Sequence, residues 1–295
     1  MTYTYTIYGL TLRVPFPCPM LSPAPLDTPP DITVVEGAVP SSLPRPIVEE
    51  ERWQSAPGRF LLRGGLRSGR FLVECGERII LERNPAAEDK MLAAHLLSSV
   101  IAALLRQRGL LVLHANVATT PTGAIALSGV SGSGKSTTLA ALLACGCSML
   151  ADDITALCLG QDGAISALPG VSKMSLCEDA AIRLGYDATD HPRNPLRRHK
   201  VIVPSQAAMP KSPIPLKTIY QLRRHSGDTL IVTALNGAEK FATLQECIYG
   251  PVFPEEHPGI FPLLTAISEQ VDIVRIERPA SHWSLDDVVG AILHG

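Results

Sequence analysis

The chain carries no surplus of basic charge. Its 26 Lys and Arg stand against 28 Asp and Glu, a formal net charge of −2. That balance lacks the cationic footprint that phosphate backbones require, so no nucleic-acid partner is expected. Nor is there a paired cysteine framework. Seven cysteines, an odd number, are scattered from Cys18 to Cys247. That usage points to reduced thiols and a cytoplasmic location rather than to disulfides. Cys145-Gly-Cys147 has no second ligand pair after it, so no zinc site is expected. The opening MTYTYTIYGL has no basic region followed by an apolar stretch, and a signal peptide is not expected. The longest hydrophobic run, Met91 to Leu105, includes His95 and two serines. It is shorter than the roughly 20 residues that span a bilayer, so no membrane partner is expected. It reads instead as a buried helix, with Glu88 and Asp89 at its start and Arg106 to Gly109 at its end, signs that suit the helix dipole. No internal repeat is present.

What is present is a loop with chemistry. Gly129-Val130-Ser131-Gly132-Ser133-Gly134-Lys135-Ser136 matches G-x-x-x-x-G-K-[ST], the phosphate-binding P-loop. Its glycines let successive N–H groups turn inward around the phosphates of a nucleotide. Lys135 reaches the β/γ-phosphates, and the Ser136 hydroxyl suits Mg²⁺. The flanks fit. Ala124 to Ser128 is a short apolar strand, and Thr137 to Cys145 is a helix closed by Gly146. The helix N-terminus adds its positive dipole end to the site. The cofactors expected are therefore a nucleotide such as ATP, and Mg²⁺.

The chain, 295 residues and 46% hydrophobic, is long enough for one large or two modest domains. Residues 1–87 read as β-rich, with strands near Thr2–Tyr8, Asp31–Val35, Arg59–Arg63, Arg70–Glu74 and Arg78–Glu82. The proline-laden Val14–Pro30 stretch reads as irregular. Residues 88–295 read as an α/β unit with a mixed sheet. A strand over Leu110–Val117 turns at Thr119–Gly123 straight into the P-loop strand. This is an antiparallel hairpin where most P-loop proteins have parallel neighbours. Ser148-Met-Leu-Ala ends in Asp152-Asp153, 17 residues after Lys135. One such carboxylate can hold the metal while the other accepts a hydroxyl proton. A basic loop, His191 to Lys200, carries Arg197, Arg198 and Lys200, a candidate cationic flap over phosphates. Further strands are expected at Val171–Leu176, Val201–Val203, Leu216–Leu222, Leu230–Ala234 and Val271–Ile276. Helices are expected at Glu178–Leu184, near Ala238–Tyr249, and after Ser284, where Ser284 and Asp287 suggest a capping box.

The order His114, hairpin, GVSGSGKS, helix, Leu-Ala-Asp152-Asp153 resembles the catalytic domain of HPr kinase/phosphorylase. It is closer still to stand-alone HPr-kinase-like proteins found with ribosomally made peptides, including lasso-peptide kinases. The resemblance covers roughly residues 88–295. It implies a fold related to phosphoenolpyruvate carboxykinase and phosphotransfer from ATP to a serine on a peptide or protein. It also implies that Asp152 is the base, that Asp153 and Ser136 lie near Mg²⁺, and that His114 is the family histidine. Arg197, Arg198 and Lys200 correspond to the family's basic segment, and homo-oligomerisation is implied too. Two features differ. Thr137 stands where HPr kinases carry a Glu, and VSKMSL occupies the place of their downstream signature. A neutral His114 beside Asp152 could orient that carboxylate or shuttle its proton. Two other functions fit the same motifs: a small-metabolite kinase, and a nucleotide-dependent binding protein with little catalysis.

Overall fold

The computed structural model describes residues 1–205, 209–251, 253 and 257–294. The fold is mixed α/β, divided into two compact units.

The first unit comprises Met1–Val112 and Tyr249–Pro262. Among the described residues its sheet has nine strands. The expected strands are all there, at Tyr3–Ile7, Ile32–Glu36, Arg59–Arg63, Gly69–Glu74 and Arg78–Arg83. Ile32–Glu36 and Arg78–Arg83 alternate buried and more exposed residues, whereas Phe60–Leu62 and Phe71–Val73 are buried on both faces of the sheet. Tyr8-Gly9, both at positive φ, closes the first hairpin as a two-residue turn whose twist matches its strands. Most pairings are antiparallel. Ile32–Glu36 is parallel to both of its neighbours, Leu10–Val14 and Arg78–Arg83.

The apolar run forms the expected buried helix, with one departure. Asp89–His95 and Ile101–Gln107 flank a π-turn at Leu96–Val100, inside which Ser98 leaves helical geometry at φ −118, ψ −109. Ser98 Oγ donates to the carbonyl of Ala94 at 2.8 Å, so it competes with the backbone ladder. The helix packs on the β-rich sheet, where His95 meets Phe71 with ring centroids 6.4 Å apart. The expected division at 87/88 therefore moves to Val112/Leu113, because the helix buries its apolar surface in the first unit. Tyr249 joins that unit by donating its N–H to Val112 O at 2.8 Å.

His95 yields a stability prediction. It is 4% exposed, and its Nε2 is buried without a partner. Burial pushes its pKa below 6.5, the nearby Arg52 charge adds to this, and a backbone hydrogen bond to Gly64 opposes it. Below about pH 6.5 the unfolded chain takes up a proton that folded His95 resists, so stability falls as pH drops through that range. Melting curves should show a loss of a few degrees between pH 7 and 5.5, and His95→Leu should flatten that limb. An unchanged slope in the variant would remove His95 from the acid response.

The second unit comprises Leu113–Ile248 and Leu263–Gly295. Within its sheet the order runs Thr155–Leu159, Ile165–Ala167, Ile214–His225, Gly123–Ser128, Ala115–Thr120, Ser148–Ala151. Asp272–Pro279 lies parallel along the long strand from Thr218 to His225, and Ile231–Ala234 pairs with it antiparallel. The P-loop strand Gly123–Ser128 is antiparallel to Ala115–Thr120 and parallel to Ile214–His225. The expected hairpin is thus present, closed by Pro121-Thr122 between Thr120 and Gly123. The P-loop helix, Lys135–Ala144, buries Leu139 and Leu142 in a cluster with Leu127, Met149, Val288 and Ile292. That packing fixes the helix N-terminus relative to the sheet edge.

Two expectations change here. Leu110–Val117 is not one strand. It breaks at His114, whose N–H donates to Cys247 O at 2.8 Å instead of to a ladder partner. A further helix, which sequence reasoning does not single out, spans His257–Gln270. Pro262 is tolerated inside it. The Ser284/Asp287 capping box does not form, because Ser284 Oγ is buried without a hydrogen-bond partner. Among the described residues no helix is long and apolar enough to cross a membrane.

Candidate nucleotide and phosphotransfer site

The P-loop adopts the backbone its glycines allow. Gly129 has φ +137, and a Cβ there would collide with the Leu222 carbonyl. Gly134 has φ +111 and hands directly into the helix, whose N-terminus no side chain caps. The N–H groups of the first turn are thus left without a side-chain cap, an arrangement that suits an anion. Ser131, Gly132, Gly134, Lys135, Ser136 and Thr137 all line one cleft of about 500 Å³. Ser133 has a structural position. Its side chain is buried against Gly129, and its N–H donates to Val130 O at 3.1 Å.

Lys135 is only 7% exposed. Its Nζ donates to Gly129 O at 2.7 Å and Val130 O at 3.4 Å. Burial lowers its pKa, while the charge of Asp153 opposes that shift. The ammonium is held over the loop, where a phosphate oxygen would replace a carbonyl as its partner.

Ser136 and Asp153 are joined by a residue that sequence reasoning does not single out. Asn116 Nδ2 donates to Ser136 Oγ at 3.2 Å, and Asn116 Oδ1 accepts the Asp153 N–H at 3.2 Å. The hairpin register, Asn116 opposite Leu127, carries the signal for it. Among the described residues no group of three His, Cys, Asp or Glu could hold a metal ion. The residues present fit Mg²⁺ in the manner of nucleotide sites. Ser136 and Asp153 would supply two oxygens, and phosphates and water the rest. Asn116→Ala should raise the Mg²⁺ concentration for half-maximal turnover about 10- to 100-fold, as loss of a ligand-orienting partner usually does. A Mg²⁺ titration identical to wild type would show that Asn116 orients neither oxygen.

The two carboxylates differ in surroundings. Asp152 is 8% exposed. Its Oδ2 accepts the Ser175 N–H at 2.9 Å, and its Oδ1 is buried without a partner. Its pKa is pushed up to about 7, first by burial and then by the Asp153 charge. The Ser175 N–H and the Lys200 and Arg197 charges partly offset this. Asp153 follows at φ +66, and its Oδ1 lies 3.0 Å from His114 Nε2 and 3.5 Å from Arg197 Nη1. Burial alone would raise its pKa. The His114 hydrogen bond and the Arg197 charge win and bring it down to about 2. The expected pairing of His114 with Asp152 is therefore corrected, since His114 faces Asp153. Both carboxylates lie past the strand end at Ala151, and Asp153, at positive φ, is the one that lines the cleft.

The basic loop is anchored and only partly in the cleft. Arg193 grips Glu178 with two hydrogen bonds of 2.8 and 3.0 Å. Arg197 and Lys200 line the cleft, with His199 beside them. Arg198 is not among the residues that line it. Its carbonyl accepts a hydrogen bond from Arg193 at 3.1 Å, and that bond fixes this part of the loop. Further cations, unforeseen, also line the wall, Arg224 and Arg278 among them. Arg278 Nε donates to Ser133 O at 2.9 Å, and Arg224 Nη2 donates to Ala280 O at 3.4 Å. Both lie at the ends of strands that pair in parallel, far from the P-loop in sequence. A second cavity of about 610 Å³ lies against the loop, lined by Gly129, Val130, Gln221, Arg223, Glu246 and Cys247 among others. His114, Ser131, Gly132 and Arg224 line both cavities.

No protein-family model matches the chain. No curated protein matches it either. Among solved structures, the Hpr(Ser) kinase/phosphatase from Coxiella burnetii is similar at 12% identity and a TM-score of 0.29. The match covers 62% of this chain and 87% of that one. A likeness of that size fixes neither activity nor substrate.

Proposed function

We propose that this chain is an ATP-dependent kinase that transfers the γ-phosphoryl group to a serine hydroxyl of a peptide or protein. The observation that carries the reading is the link Ser136–Asn116–Asp153 beside Lys135 in a cleft walled by cations. Phosphoryl transfer asks mostly for positioning and charge neutralisation, and these groups supply both. In this reading the P-loop N–H groups, Lys135, Arg278 and Lys200 hold the triphosphate. Ser136 and Asp153 would hold Mg²⁺, which when bound would supply charge neutralisation for the phosphates. The acceptor oxygen bonds to the γ-phosphorus as the bond to the ADP oxygen breaks. The hydroxyl proton passes to Asp152, whose carboxyl is poised near neutrality. Asp152 is buried here, so the reading requires its Oδ1 to be uncovered when the acceptor binds. Ionised Asp153, fixed by His114 and Arg197, keeps the metal role.

The resemblance to lasso-peptide kinases suggests a ribosomally made precursor peptide as acceptor, and a flexible tail could enter the cleft at modest ordering cost. A second reading is a small-metabolite kinase. It is favoured by the second cavity, whose volume lies in the small-molecule range. Incubation with Mg–ATP and a precursor peptide encoded beside this chain, read by mass spectrometry, separates the two. The expected result is one phosphate on the peptide and none on its Ser→Ala form. Phosphate on a free sugar or amino acid, with neither peptide modified, would replace the peptide reading. ATP binding without any product would leave a nucleotide-dependent binding protein.

A further inference from the structure

The cleft extends past the phosphate cradle. Beyond Thr137 its wall is Trp283, which precedes the C-terminal helix Leu285–His294. Trp283 lines the cleft and is 43% exposed. Arg183, from the helix Glu178–Arg183, places its guanidinium 4.8 Å from the indole centroid. It too lines the cleft. A half-exposed indole beside a guanidinium is a stacking site for a flat, electron-rich ring. The π-face accepts a base of any sequence, and the cation adds both cation–π attraction and a partner for phosphate.

The direction of the nucleotide follows from what stands at each end. The transferred phosphoryl group must lie by His114 and Asp153, which are 3.0 Å apart. His114 also lines the second cavity, at the Gly129–Gly132 end of the loop. Trp283 lines a recess with Gly134, Thr137 and Thr138, at the helix end of the loop. Lys135 and Ser136 anchor the middle. A triphosphate whose reactive end is at His114 therefore sends its nucleoside toward Trp283.

We propose that Trp283 is the stacking platform for the nucleobase, with Arg183 closing the subsite. This rests on the phosphotransfer reading above and adds how the nucleoside is held. Recognition is by stacking, so it reads the presence of a base more than its edge.

The test compares two anions with and without a base. Trp53 and Trp283 are the two tryptophans of the chain, so Trp53→Phe leaves Trp283 as the reporter. Mg–ATP should quench its fluorescence saturably, whereas Mg–tripolyphosphate should not. Trp283→Ala should weaken Mg–ATP binding about 5- to 150-fold, the usual worth of one base–aromatic stack. It should leave tripolyphosphate binding within about twofold, and Trp283→Phe should restore most ATP affinity. Equal weakening of both anions, or none for ATP, overturns the platform. A wild-type protein that binds tripolyphosphate but not ATP also overturns it. A wild-type protein that binds neither overturns the phosphotransfer reading and the platform with it.

Discussion

Lys135→Ala is expected to remove most affinity for Mg–ATP and to lower turnover by at least about 10²–10³-fold, the usual cost of one preorganised charge partner at a developing phosphate charge. The physical case begins with burial. At 7% exposure the ammonium has given up most of its water and is held by two loop carbonyls. Its desolvation cost is thus already met in the folded protein, and the group is aimed before the nucleotide arrives. A phosphate oxygen offers a full charge where the carbonyls offer dipoles, so binding strengthens the interaction. Arg278, Arg197 and Lys200 remain in the variant but stand at the walls, and they cannot occupy the position between loop and phosphate. Lys135→Met is the better control for packing, because it fills the same channel without charge. Single-turnover rates and nucleotide titrations on both variants check this. Transfer at the wild-type rate in either variant would mean that the loop does not hold the phosphates.

The P-loop is legible in the sequence because its chemistry lies in consecutive residues, and Asp152-Asp153 because its spacing places it at the end of the neighbouring strand. The hairpin is legible from the turn Thr119–Gly123. What the sequence hides is what strand pairing brings together over distance. Arg224 and Arg278 face each other in the parallel register of Ile214–His225 and Asp272–Pro279. Nothing local marks either as a residue of the cleft wall. Trp283 and Arg183 meet across 100 positions of sequence. Asn116 reads as one polar residue in an apolar strand, and its role emerges only when the hairpin sets it beside Ser136. The partner of His114 differs from the expected one for a local reason. Spacing cannot say which of two adjacent carboxylates turns into the cleft, and the positive φ of Asp153 decides it. The helix His257–Gln270 is hidden by its prolines, and the β-rich unit annexes the helix Asp89–Gln107 because sheet burial outweighs chain order.

Asp152→Asn is expected to keep Mg–ATP binding, to lower transfer by about 10²–10⁴-fold, and at the same time to raise thermal stability. The loss follows from chemistry, since the amide can occupy the same space and still accept the Ser175 N–H, yet it cannot take the acceptor proton. The gain follows from burial. The folded pKa, pushed up to about 7, lies above the ordinary 3.8. Between those values the folded chain holds a proton that the unfolded chain has released. By linkage, stability then falls as pH rises through that window. Below it Asp152 costs nothing, and above about pH 7 the full penalty of a buried charge beside Asp153 is present. A pKa gap between folded and unfolded chain converts to free energy at about 1.4 kcal/mol for each pH step, so the penalty is on the order of a few kcal/mol. Asparagine does not carry it. Melting curves of protein without added metal should therefore show the variant gaining on wild type from pH 5 to 7, with the gap level from 7 to 8.5. A site that stabilises the fold by its carboxylate would show the opposite, a variant that melts earlier at every pH. Asp153→Asn should differ on both counts. Its folded pKa is down at about 2, so its charge is stabilised by His114 and Arg197. The amide should lower stability at neutral pH and raise the Mg²⁺ requirement. Two variants that behaved alike in melting, Mg²⁺ titration and single-turnover transfer would defeat the division of roles between the carboxylates.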